Sequence, residues 1–118
     1  MPIRIKRVYD DPAPSDGFRV LVDRLWPRGL TKEAAALDRW DKDVAPSADL
    51  RKRFHANPED WGEFKRAYVK ELRANKAAVG ALLDAAKASR KKTLTLLYAS
   101  RDETQNHAVV LRDFLNAR

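Results

Sequence analysis

Cysteine is absent from the 118 residues, which excludes disulfides and thiolate chemistry and fits an intracellular setting. Histidine is scarce: His55 and His107 are too few for a zinc site of the common His/Cys kinds. The four glycines, at 17, 29, 62 and 80, make neither a Walker loop nor a dinucleotide fingerprint. No serine sits in a nucleophile elbow. No apolar run approaches the roughly 20 residues needed to cross a bilayer, and the Met1–Arg7 stretch lacks the apolar segment of a secretory signal. Asp38, Asp41 and Asp43 can in principle collect magnesium, but on a strand 41 and 43 turn away from the Lys42 face. The expectation is one cytoplasmic domain over 1–118, large enough for a single ordinary core, with no membrane partner, no metal and no cofactor signalled by any motif.

What is abundant is positive charge. The net charge is +7 and unevenly placed: residues 1–60 hold 12 basic and 11 acidic side chains, residues 61–118 hold 12 and 6. Two clusters stand out, Arg51-Lys-Arg53 and Arg90-Lys-Lys92, the second extended by Lys87. Such clusters either contact phosphates along nucleic acid or keep a small protein soluble as solvated faces. Neither carries interleaved aromatics or glycines, which favours the second reading.

Hydrophobic periodicity predicts alternating strands and helices. Ile3–Val8 reads as a first strand, Asp10–Gly17 as a loop, and Phe18–Asp23 as a second, buried strand. Thr31 caps a short helix over Lys32–Leu37. Asp38–Val44 is ambiguous, since Trp40, Lys42 and Val44 would share a strand face. Ser47 opens another helix, and Asn57-Pro58 starts the next, whose Trp61, Phe64, Tyr68 and Leu72 form one apolar stripe. A helix over Asn75–Ser89 buries Val79, Leu82, Leu83 and Ala86. Thr93–Tyr98 is the last strand. A final helix over Glu103–Asn116 would use Asp102 and Gln105 as a capping box. This alternation predicts an α/β fold: a small, mainly parallel sheet of three to four strands with helices packed on it.

In an open α/β sheet, ligands bind beyond the carboxyl ends of the strands. The loops leaving the second and last strands gather Asp23, Arg24, Trp26, Arg28, Tyr98, Asp102, Asn106 and His107, with Lys42 and Ser47 on a segment able to close the pocket. Arg24 and Arg28 suit a carboxylate or phosphate, Trp26 a flat ring. His107 suits general acid–base work near neutral pH, oriented by Asp102 or Asp23. Each has a plainer reading: Asp102 as a helix cap, Asp23 in a structural ion pair, His107 satisfied by a backbone or carboxylate partner, Trp26 as a packing lid.

The segments Arg19-Val-Leu-Val-Asp-Arg-Leu-Trp-Pro-Arg-Gly29, Lys42-Asp-Val-Ala-Pro-Ser47, and Leu96-Leu-Tyr-Ala99 with Asp102 and Asn106-His107-Ala108 resemble the YeaO-like branch of the domain of unknown function 488 family. The resemblance spans nearly the whole chain. It implies small bacterial or archaeal cytoplasmic proteins with an α/β fold and no established activity. Broader members carry a pattern like Cys-His-Arg where this chain has Asn106, His107 and Ala108, so the histidine is kept while thiol and guanidinium are gone. Three functions follow as expectations. The first is a pocket for an anionic small molecule or nucleotide-like ligand, with His107 and Asp102 as its catalytic candidates. The second is a nucleic-acid-binding or regulatory module acting through the basic surface. The third is a subunit docking through the aromatic stripe.

Overall fold

A stretch buried on both faces has to sit in the middle of a sheet, and Leu94–Tyr98 (β4) is that stretch, with all five residues buried. In the computed structural model, which describes residues 1–118, β4 is flanked by Ile3–Arg7 (β1) and Phe18–Leu21 (β2), and β2 carries the short edge strand Arg39–Trp40 (β3). The order is β1-β4-β2-β3, and every pair is parallel. The α/β expectation is met with four strands. Ile3 lies opposite Leu94 and Arg7 opposite Tyr98, while Phe18 and Leu21 face Leu94 and Leu97 on the other side.

Alternation along the strands divides the core. Phe18, Val20, Leu94, Leu96 and Tyr98 point to the face covered by three helices: Trp61–Ala74 (α3), Lys76–Ala88 (α4) and His107–Asn116 (α5). The stripe Phe64, Tyr68, Leu72 is buried there, with Trp61 packed at its margin. On the opposite face Leu21 and Leu97 join Val8 and Ala35 in a smaller cluster, covered by the helix Lys32–Ala35 (α1) and by Trp26, Leu30, Leu37 and Trp40. A further helix, Ala48–Ala56 (α2), packs beside α3.

That second face holds a charge the apolar run conceals. Arg19 in β2 is only 5% exposed. Its guanidinium pairs with Asp16 and donates to the carbonyls of Ala35 (2.8 Å) and Ala36 (3.0 Å). Burial alone would raise the Asp16 carboxyl, but the Ala13 N–H, Lys6 and Arg19 together hold it below its usual range. The turn before β2 needs Gly17: φ is +65°, and a Cβ would lie 2.2 Å from the Thr93 carbonyl oxygen.

Several boundaries differ from expectation. Thr31 and Ser47 do cap α1 and α2, accepting from Ala34 and Leu50. The Asp38–Val44 segment is strand only at Arg39–Trp40, then a 3-10 turn over Lys42–Val44, so Trp40, Lys42 and Val44 share no strand face. Asn57 ends α2 rather than starting α3, which begins four residues later at Trp61. Asn106, not Asp102, caps α5: its Oδ1 accepts from Val109 N at 3.1 Å. Starting the helix at Glu103 would add a turn of exposed polar residues with nothing to pack.

Candidate functional site

Because β2 and β4 are adjacent and parallel, the chain leaves both at the same edge of the sheet. The join is made by Asp23, just past β2, whose Oδ2 accepts from the Ala99 N–H at 3.0 Å just past β4. His107, the first residue of α5, then meets both loops. Its Nε2 is 3.0 Å from the Val22 carbonyl oxygen and 2.9 Å from Asp23 Oδ1. Both neighbours are acceptors, so Nε2 carries the proton, and in the neutral ring Nδ1 is left as the acceptor. The hydrogen bond runs to Val22. Asp23 Oδ1 lies beside the ring nitrogen off that line, buried and without a donor of its own.

A cavity of about 400 Å³ opens from this junction, within the size range of small-molecule sites. Arg24, Arg51 and Arg101 line it together with His55 and His107, and no carboxylate forms an ion pair with any of the three guanidinium groups. Arg24 also braces the wall, donating from Nε to Pro46 O (3.2 Å) and from Nη2 to Ala45 O (3.3 Å). Arg51 Nε is buried and unpartnered. The apolar side is aromatic: Phe54 stacks on Phe64 at 4.4 Å between centroids, and Phe64 on Trp61 at 5.6 Å. Behind them Tyr68 meets the His107 ring edge-on at 6.4 Å. Its hydroxyl donates to Val44 O, and burial, then Glu71, pushes that phenol far above its usual value, so it stays protonated.

Of the residues expected here, Asp23, Arg24, Asn106 and His107 do come together. Asn106 is 2% exposed and fully engaged, capping Val109 and donating from Nδ2 to Asp102 O at 2.8 Å, so it positions α5. The others lie elsewhere. The Pro27–Gly29 turn folds its loop over the opposite face of the sheet, where Trp26 donates to Leu30 O (2.7 Å) and packs edge-on against Trp40 at 5.3 Å. Arg28 is exposed and off the cavity; only its carbonyl is engaged, by the Tyr9 hydroxyl. Lys42 rests on the Trp40 ring at 4.1 Å. Ser47 is tied to Glu71 through its N–H (2.9 Å) and its hydroxyl (2.6 Å). Tyr98 is a core residue, its phenol raised by burial first and by Glu103 next. Asp102 is exposed, its carboxyl lowered by the N–H groups of Gln105 and Thr104, and it does not orient His107. Asp23 is the carboxylate beside the imidazole.

Sequence reasoning missed Arg51, Phe54 and His55 on α2, and Ser100 and Arg101 after β4. A signal existed: Arg51, Phe54 and His55 stand at i, i+3 and i+4 and so share one helical face. No three histidine, aspartate or glutamate side chains converge as a metal would need. No helix is long and apolar enough to cross a membrane.

Among known proteins, the uncharacterised protein YeaO of Escherichia coli is 50% identical over 117 residues, covering 99% of each chain. Uncharacterised proteins of Mycobacterium bovis and Mycobacterium tuberculosis are 41% identical over 116 residues, covering 98% of this chain and 95% of theirs. No solved structure matches. The family model described as the inactive DUF488-N3 subclade matches residues 2–118, and the chain belongs to that family.

Proposed function

We propose that the cavity at the carboxyl edge of the sheet is a recognition pocket for a small anionic molecule with a flat or apolar body, a nucleotide-like ligand being one such shape. The observation that carries this is the convergence of Arg24, Arg51 and Arg101, none of them ion-paired, on a cavity walled by Phe54 and Phe64. A second feature agrees. The two buried side-chain polar atoms without a partner, Arg51 Nε and Asp23 Oδ1, both belong to residues lining it. An unmet buried group of this kind costs about 1–3 kcal/mol, a deficit that a ligand offering an acceptor to Arg51 and a donor to Asp23 would relieve.

The reading is of binding without turnover. The chain has no thiol, and the His107 Nε2–H is committed to the Val22 carbonyl, which leaves Nδ1 as the ring's one free nitrogen, an acceptor toward a ligand. Asn106, where the broader pattern has cysteine, is a buried cap. The description of the family as an inactive subclade agrees with this.

Titration with adenosine 5′-monophosphate and with phenyl phosphate, followed by amide and imidazole NMR shifts, tests it. Shifts concentrated at Arg51, Phe54, His55 and His107 are expected. Arg51→Met should weaken binding about tenfold or more, the worth of one charge-assisted hydrogen bond, with thermal unfolding nearly unchanged. Saturable shifts elsewhere, or none with either probe, would refute the pocket.

A further inference from the structure

The opposite, amino-terminal edge of the same sheet carries a second and more open concavity, about 680 Å³, formed where Gly17 leads into β2 and Thr93 into β4. Its lining is basic. Arg4 comes from β1, and Arg90, Lys91 and Lys92 from the turn after α4, with Arg19 at the base. The acids do not balance them. Asp16 is engaged by Arg19 and Lys6, and Asp38 by Lys91 at 3.0 Å. Each nitrogen of the Arg19 guanidinium is already engaged, by Asp16 or by one of two carbonyls. Arg4, Arg90 and Lys92 remain exposed, and none of them forms a side-chain hydrogen bond or an ion pair within the chain.

One of these three is held at a conformational cost. Arg90 has φ +60°, the left-handed position that closes a helix and that glycine normally fills. Ala36 closes the helix Lys32–Ala35 in the same left-handed conformation; at Arg90 the turn presents a guanidinium to the rim of the concavity. The lining has no aromatic ring, so a base finds nothing to stack on and a partner is met through its phosphates. Three solvated cations around an open hollow suit a repeating anion better than one small one.

We propose that this concavity seats the phosphate backbone of nucleic acid without regard to sequence, Arg4, Arg90 and Lys92 each meeting one phosphate. It is independent of the pocket at the other edge, and Arg51→Met should leave it intact.

Anisotropy of a labelled DNA duplex across a salt series, with the full chain, tests this. Three phosphate contacts at about 0.9 each give a log–log slope near −2.7. Arg90→Gly is the decisive variant: the slope should shrink by about 0.9 while Tm rises, so lost binding is not lost folding. Arg4→Ser and Lys92→Ser should each shrink it similarly, and Lys52→Ser on α2 should not. Binding without a salt slope, an Arg90→Gly variant with the full slope, or association only with vesicles of anionic lipid would overturn the proposal.

Discussion

Replacing Asp16 by asparagine tests how much of this fold depends on a buried charge. One oxygen of Asp16, Oδ2, receives the Ala13 N–H (3.0 Å), Lys6 Nζ (3.1 Å) and Arg19 Nη1. Asparagine keeps the shape but leaves the Arg19 guanidinium, 5% exposed, charged and without its counter-ion. Breaking a buried pair on one side costs about 3–5 kcal/mol. For a chain of this size that is a fall in Tm of roughly 10–20 °C. Urea unfolding followed by tryptophan fluorescence should show a lower midpoint at an unchanged slope. Removing both charges, Asp16→Asn with Arg19→Met, should recover much of the loss, because apolar replacement of a whole buried pair is often neutral. Acid titration adds an independent check. The folded carboxyl lies below its unfolded value of 3.8, so the unfolded chain binds more protons between the two values. The stabilisation is therefore complete above the unfolded value and disappears as pH falls through the folded one. Asp16→Asn should remove that part of the acid dependence. A single variant costing under about 1 kcal/mol, or a double variant worse than the sum of the singles, would refute the reasoning.

Three further variants test the local geometry. Gly17→Ala should cost at least about 2 kcal/mol by urea unfolding, since left-handed backbone and the 2.2 Å approach to the Thr93 oxygen act together. Asn106→Ala should cost about 1–2 kcal/mol through the lost cap and increase hydrogen exchange at Val109, whereas Asp102→Ala should leave probe affinity in the pocket unchanged.

How much of this was legible in the sequence depends on what kind of information each feature needs. Periodicity located β4 and the stripe Phe64–Tyr68–Leu72, because those positions answer to local pattern. The shared edge was legible too: parallel strands place their exits together, so Asp23 and His107 could be expected to meet, and their 2.9 Å approach is the result. Trp26 and Arg28 were misplaced because the direction taken by the Pro27–Gly29 turn is not written in any periodicity. The loop went to the face where Leu21 and Leu97 needed covering, and an indole covers more apolar area there than it would in a pocket mouth. Arg19 was hidden for a related reason, since an apolar run looks buried whether or not one member is charged, and only the Asp16 turn reveals its partner.

The two basic clusters show the same limit more sharply, because composition alone treats them as equals. Arg51 stands one helical turn before Phe54 and His55, so packing α2 on α3 carries its guanidinium to the wall of the carboxyl-edge cavity. Arg90-Lys-Lys92 follows the end of α4, where the chain must turn into β4, and that turn fixes the cluster at the amino-terminal edge. Arg51 and the Arg90-Lys-Lys92 cluster thus come to lie at opposite ends of one parallel sheet. At one end the cavity is walled by Phe54 and Phe64. At the other the surface is open and its lining has no aromatic ring.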